Sequence, residues 1–528
     1  MAVPPSQRSS DSAGHRFRWQ LDVLLGLILV TSLPLAIVSI PNTLSVVAGL
    51  LPGDLDQAGL MRTQGLALPA LMLTVPLAAV ALRRVPAAYV LVAGLALVAV
   101  SDAAGGYAGS EFVVGVVRVL RGVGAGLVLP ATLAAVWART PVLRALWVGV
   151  FCLSLLVAQA FALWPLDDVD SWRVTLQPYP LVTGVALALA AVHLGVWTLS
   201  GRPAAPVPDV VERGRVLLSA GPAVGIAVVA VSTASEGWRA GWVIVLAAVA
   251  VTALLVMASI GAAESRTVAY TAVAVGLVLL PSAAQITMVE MGGLGGPGLR
   301  GLWLPYGVAG VLAVAVSVWV RLHAPAAGRW LAPLGLLAMV AGLCSVRLVV
   351  PSADGLPLVL PFGLLVVGAA VALTATLQEV TFGAAAFGLS LGVAGLLAGF
   401  LLGTGVQMAM LDGARSVQEL VDGFVGALHW WALIGGFLVV LIIALVAVWA
   451  RRGEQPPENT PERLPCAGGP VGDVLLVPSA EEGDGRRGEA PAASDDGRKG
   501  EAPAAGGDDK RLPTVPPQGQ SPEDASSP

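Results

Sequence analysis

Fourteen apolar stretches, each about as long as a hydrocarbon layer is thick, recur between residues 21 and 450 of this 528-residue chain. A spanning helix needs about 20 mostly apolar residues. The first eight stretches lie near 21–41, 64–82, 86–104, 112–137, 145–165, 178–199, 217–233 and 241–261. Six more follow near 268–287, 302–320, 330–346, 356–376, 383–407 and 429–450. The weakest, 217–233, is short and contains Pro222. Lipid offers no hydrogen bonds to a peptide group, so such stretches must close their own backbone bonds as helices. The composition agrees, with 56% hydrophobic and only 12% charged residues. The expectation is an all-α polytopic membrane protein. The first stretch is too long for the core of a cleavable leader, and no small-residue cleavage site follows it.

Arginines orient the spans, because short cytoplasmic loops collect basic residues. With the N-terminus inside, the cytoplasmic side gathers Arg8, Arg16, Arg18, Arg83, Arg84, Arg139, Arg144, Arg202, Arg213, Arg215, Arg266, Arg321, Arg329, Arg451 and Arg452. The outer side receives Arg62, Arg173, Arg239, Arg300, Arg347 and Arg415. The asymmetry predicts both termini in the cytoplasm; the expected location is the plasma membrane. Removing 217–233 and 241–261 together keeps the parity, so this test leaves twelve spans as open as fourteen. From residue 453 the chain turns rich in Pro, Gly, Ala, Glu and Asp, with "GRRGEAPAASDD" nearly repeated as "GRKGEAPAAGGDD". Such a segment buries too little apolar surface to fold. It reads first as a disordered cytoplasmic tail, and second as a segment for an unidentified protein partner.

Within the fourth stretch, "RVLRGVGAGLVLPATLA" opens with two arginines three residues apart, which share one helical face. Arg118 lies about 9 Å below the start of its span. A central arginine costs about 2.5–3.5 kcal/mol, less where it can snorkel. Ionisable residues at such depth usually face a protein interior or a watery cavity. Against that stands a structural reading, with the pair neutralised by Glu111 or by Asp167, Asp168 and Asp170. Gly122, Gly124 and Gly126 follow; Gly122 and Gly126 form a G-x-x-x-G pattern that admits a neighbouring backbone. Pro130 removes a donor from the inner half.

These residues resemble the fourth-span motif of the major facilitator superfamily, and most closely its fourteen-span drug:proton antiporters. In that family the motif arginine sits in the central cavity and is implicated in proton coupling; Arg118 holds its place. Arg121 stands where the family usually has glutamine. "DSWRVTLQPYP", residues 170–180, is similar to the family's sixth-span opening through Trp172, Arg173 and Pro180. "GLRGLWLPYGVAG", residues 298–310, is a weaker likeness to its short loop and proline-containing span. Other motifs have decayed. The stretch between spans two and three keeps only Arg83 and Arg84 of the family's gate, with Arg83 at the aspartate position. The first span carries Pro34 where the family has its acid, and no acidic residue occurs between Asp22 and Asp54. The fifth span lacks the exporter signature. Glu111, Glu236, Glu290 and Glu379 are the candidate proton carriers; Glu290 and Glu379 read as interfacial loop charges. A glycine stripe at 388, 392, 395, 399 and 403 reads as a close helix crossing.

The resemblance implies two six-helix bundles, residues 20–200 and 268–452, behind a cytoplasmic start at 1–19. A linker and extra helix pair would occupy 201–267, and the tail 453–528. It further implies secondary active transport, proton-coupled efflux of small lipophilic compounds such as drugs or secondary metabolites. Arg118 and Arg121 would line the substrate or proton pathway, Gly122, Gly124, Gly126 and Pro130 would pack the helix, and Arg83 with Arg84 would remain of the inner gate. The alternative is a transporter-derived scaffold or sensor that no longer pumps. Expected partners are a small-molecule substrate, the proton and the lipid bilayer. No cofactor, metal site, nucleic-acid surface or enzyme constellation is expected: the histidines stand isolated, and basic residues do not interleave with aromatics.

Overall fold

A computed structural model of the chain describes residues 6–51, 57–166, 169, 171–200, 210–233, 238–261, 263–291, 296–324, 328–378 and 380–453. The expected tail lies outside them except for its first residue, as do Glu236, Glu379, Asp167, Asp168 and Asp170. Among the described residues, fourteen helices are long and apolar enough to cross a membrane. The first three spans are α1 (Ser6–Val38), a broken pair α2 (Gln57–Gln64) and α3 (Ala67–Ala81), and α4 (Ala87–Gly105). They lead into α5 (Glu111–Trp137), α6 (Pro141–Leu163) and α7 (Pro180–Leu199). The seventh span is again split, into α8 (Val210–Leu218) and α9 (Ala220–Thr233), and α10 (Ala240–Ser259) is the eighth. The remaining six are α11 (Ala263–Val289), α12 (Gly298–His323), α13 (Gly328–Val349), α14 (Val359–Thr376), α15 (Phe382–Leu411) and α16 (Val417–Gly453). The split in the seventh span falls just before Pro222, which sits in the first turn of α9, where a missing N–H costs nothing.

Helices α1 to α7 pack among themselves, and α11 to α16 do likewise. The groups meet along a seam where α6 touches α11, α12 and α14, and α3 touches α15. An even number of crossings returns the chain to the end of the molecule where it began, here termed the proximal end; the opposite end is distal. The extra pair is central in sequence and peripheral in space. It lies beside the α3–α15 line, with α9 against both of those helices and α10 against α15 and α11. Thus the inserted spans bridge the two groups on one flank.

Close helix crossings come from small residues. Cβ atoms on Gly122 and Gly126 would run into α3 at Ala67, Leu71 and Thr74, while one on Gly124 would meet the Gly94 carbonyl of α4. The three glycines therefore serve two neighbours from one helix. Along α15, Gly388, Gly392, Gly395 and Gly399 face Val268, Ala272, Val273 and Leu277 of α11. Gly276 meets Gly392 in return, so the two backbones touch with no side chain between. Dispersion contacts of this kind replace the hydrophobic effect as the force between helices in lipid.

Replacing Gly399 by Val places its side chain on the Leu277 carbonyl, an overpacking expected to cost about 1–3 kcal/mol. Gly363 of α14 has open space at its Cβ position. Thermal unfolding in detergent should show Gly399→Val several degrees below the parent and Gly363→Ala unchanged. Equal behaviour of the two would refute the close crossing.

Candidate functional site: a distal cavity and the buried arginines behind it

Between the two helix groups lies a cavity of about 440 Å³. Its wall is built from distal segments: Ile40, Pro41 and Asn42 after α1, and Arg62, Gly65 and Leu68 of the second span. Gln159 of α6, Thr233 of α9 and Val243 of α10 continue it. Gln285 and Met288 of α11 close it with Thr404 and Gln407 of α15 and Phe424 of α16. The Gln159 amide donates across the seam to the Met288 sulfur at 3.7 Å. At the proximal end the seam is shut. Trp137 at the end of α5 meets Phe382 at the start of α15 edge-on, ring centres 6.2 Å apart. Between cavity and closure, Leu133, Trp147, Phe151, Val268 and Leu389 leave a gap of only about 30 Å³. The cavity therefore has one open end.

Arg118 and Arg121 are both fully buried, at 2% and 1% exposure, and neither lines the cavity. A guanidinium in this setting needs acceptors, since its five N–H groups have lost water. Arg118 donates through Nε to the Gln64 carbonyl at 2.8 Å and through Nη2 to the Pro41 carbonyl at 3.3 Å. Both carbonyls sit where helices break: Pro41 follows α1, and Gln64 ends α2. Broken turns leave carbonyls unpaired, and the arginine takes them. Arg118 thus stands one residue behind the cavity wall, at Pro41.

Arg121 turns the other way, donating through Nη1 to the Leu176 carbonyl at 2.6 Å. The same nitrogen lies 3.1 Å from Asp102 Oδ1. Asp102, 3% exposed near the end of α4, also accepts from the Thr183 hydroxyl of α7 at 2.6 Å. One charge pair thereby joins α4, α5, α7 and the short turn Trp172–Leu176. That turn is the sixth-span motif: Trp172 is buried, and Arg173 donates to the Ala108 carbonyl at 2.8 Å. Glu111 is not the partner of either arginine; its carboxylate lies against Gly59. Asp102 is what the sequence analysis missed. It looks like a span-end residue, yet parity places it at the same distal depth as Arg121, and that matching depth was a usable signal.

Glu290 also departs from expectation. It lies in the loop just past the end of α11, as expected, but is fully buried there. Its Oε1 accepts from Ser352 N at 2.9 Å, and its carbonyl accepts from Gly298 N at 3.1 Å. Burial outweighs the Ser352 N–H and pushes the carboxyl up to about 7. Arg83 and Arg84 lie at the proximal end, in the turn between α3 and α4, with Arg83 half-buried and Arg84 exposed. Pro130 is buried within a helix that runs on through it. No group of three or more His, Cys, Asp or Glu side chains fit to hold a metal occurs among the described residues.

No family model matches the sequence, and neither does any curated protein. Solved structures do share its fold. A proton:xylose symporter bound to 6-bromo-6-deoxy-D-glucose aligns with a TM-score of 0.51 at 15% identity, over 82% of this chain and 96% of the other. A bacterial homologue of the iron transporter ferroportin, in its outward-facing state, aligns with a TM-score of 0.50 at 12% identity, over 82% of this chain and 100% of the other. The chain has the major facilitator fold.

Two predictions follow from these charges. Asp102→Asn leaves Arg121 without its counter-charge, a loss expected to cost about 3–5 kcal/mol; adding Arg121→Met should recover most of the lost melting temperature. For Glu290 the folded-state value lies above the ordinary 4.5. Its contribution is therefore full below that ordinary value and is lost as pH rises through about 7. Melting temperatures from pH 4.5 to 8 should fall less steeply in Glu290→Gln than in the parent; identical slopes would contradict the burial.

Proposed function

We propose that the chain is a secondary active transporter that carries small lipophilic compounds through the central cavity by alternating access. The supporting observation is the cavity itself, held between two helix groups, open at the distal end and sealed at the proximal end by Trp137 and Phe382. Rocking two bundles about such a site would open the sealed end and close the open one. A fold alone does not assign a function. Here the polar side chains Gln159, Gln285, Thr404 and Gln407, with Asn42, Arg62 and Thr233, converge on a space walled mostly by apolar residues, which a scaffold has no use for.

The finer reading is proton-driven efflux, with the termini in the cytoplasm of a plasma-membrane protein. Coupling needs a titratable group whose surroundings differ between the two states. The first span offers none, but Asp102 and Glu290 are buried carboxylates on either side of the seam. In this reading Arg118 is a positioning residue. It fixes the Pro41 and Gln64 carbonyls and so sets the rim of the cavity. Arg83 and Arg84 would belong to the proximal gate, where Trp137 and Phe382 already close the path.

Proteoliposomes with an imposed pH gradient and a panel of lipophilic dyes of both charges test the proposal. The intact chain should move at least one dye in a gradient-dependent way. Thr404→Trp, which fills the cavity from α15, should abolish that movement while leaving the melting temperature near the parent's. Absence of both dye movement and gradient dissipation in the intact chain would favour the scaffold.

A further inference from the structure

The charge that lines the cavity is positive, and the balance behind its wall leans the same way. Among the described residues that line the cavity, Arg62 is charged and none is Asp or Glu. Arg62 lies on α2, is exposed, and makes no ion pair with a described residue. The other polar lining groups are neutral amides and hydroxyls, which can donate to an oxyanion.

Behind the wall the balance is also positive. Arg118 and Arg121 are buried, and among the described residues Asp102 is the acid that pairs with them, two positive charges against one negative. Arg118 has no carboxylate partner among the described residues and bonds to Pro41, itself a wall residue. An unneutralised charge in a low-dielectric bundle reaches farther than it would in water.

The described acids lie outside the cavity lining. Glu419 and Asp422, on the first turns of α16, keep their charge while accepting from the Arg415 N–H and the Gln418 amide. Glu111 lies against Gly59, and Glu290 is turned to Ser352. A lipophilic cation entering here would meet Arg62 and, among the described lining residues, no carboxylate.

We propose that the cavity selects amphiphilic anions, compounds with an apolar body and one anionic head that seats against Arg62. The apolar body packs on Leu68, Met288, Leu397 and Phe400, and the amides of Gln159 and Gln285 complete the head's hydrogen bonding. The assignment rests on the reading of this cavity as a transport site and adds the charge of its cargo.

Pyrenesulfonate and pyrenemethylammonium share one hydrocarbon body and differ in the sign of the head. Their binding is measured by energy transfer from the protein's tryptophans, in nanodiscs of zwitterionic lipid, against empty nanodiscs. An accessible ion pair gained by one probe and a repulsion suffered by the other should separate their affinities by about tenfold in favour of the sulfonate. Arg62→Gln should erase most of that preference and Arg62→Glu should reverse it. Arg62 is exposed, so neither change threatens the fold. Equal or tighter binding of the cation, saturable binding of neither probe, or a preference untouched by Arg62→Glu would each overturn the assignment. Arg62-dependent binding of the sulfonate without its passage across proteoliposomes would sustain the charge selectivity and refute transport. Gradient-driven movement of cationic dyes alone would do the opposite.

Discussion

A guanidinium group removed from water must be surrounded by acceptors, and much of the distal half of the first helix bundle is arranged around two of them. Arg118 and Arg121 leave the same face of α5 three residues apart and reach in different directions. One gathers the carbonyls that end α1 and α2. The other gathers Asp102 and the turn leading into α7. Between them they tie five spans of this bundle together, far more than a pair of snorkelling side chains would. Desolvation makes the arrangement costly, and removal of any one partner costs more still. That asymmetry explains why a charged cluster can persist in an apolar bundle.

The second bundle solves its packing differently. Its central crossing, α11 against α15, is a contact between backbones, with glycines removing the side chains that would separate them. Polar groups gather instead at its distal end, where Glu290 holds the link between α13 and α14, and Thr287 shares a hydrogen bond with Tyr306. Both bundles use close glycine crossings, and the first adds the charge pair of Arg121 and Asp102. Along their seam the contacts are mostly apolar and few bonds cross, the Gln159–Met288 contact being one. The closest crossing of that seam is α6 against α12, where Gly149 meets Val314 and Gly310 meets Leu153, a smooth contact along which rocking could occur. The inserted pair α9–α10 touches both halves and lies along the flank of the cavity. Any movement of one bundle past the other must carry or slide this pair.

The spans were legible because the bilayer imposes a single length and polarity on every crossing. Even the doubtful one at 217–233 survived its proline, since Pro222 falls in the first turn of a new helix. The glycine triad was legible as a close crossing, though not that it serves two neighbours at once. The positions of charges were not. Nothing in its local sequence singled out Asp102, and Glu290 read as an exposed loop charge, because burial at a span end depends on which other ends fold over it. Nor did the sequence show Arg118 standing behind the wall rather than in it. Its acceptors are main-chain carbonyls, and a carbonyl carries no side-chain signature. The cavity's own lining, Gln159, Gln285, Thr404 and Gln407, comes from spans far apart in sequence, so no local pattern marks it.

The central claim is that two bundles move as bodies about a cavity that opens at one end at a time. Pulsed electron-resonance distances between spin labels report that motion directly. Tyr107, beyond α4, and Leu348, at the end of α13, are each 88% exposed at the distal end of opposite bundles. In lipid, labels at these positions should show a longer distance matching the open distal cavity and a shorter one whose share rises when pH or a bound compound is changed. A single distance, invariant under every condition that supports binding, would contradict the account.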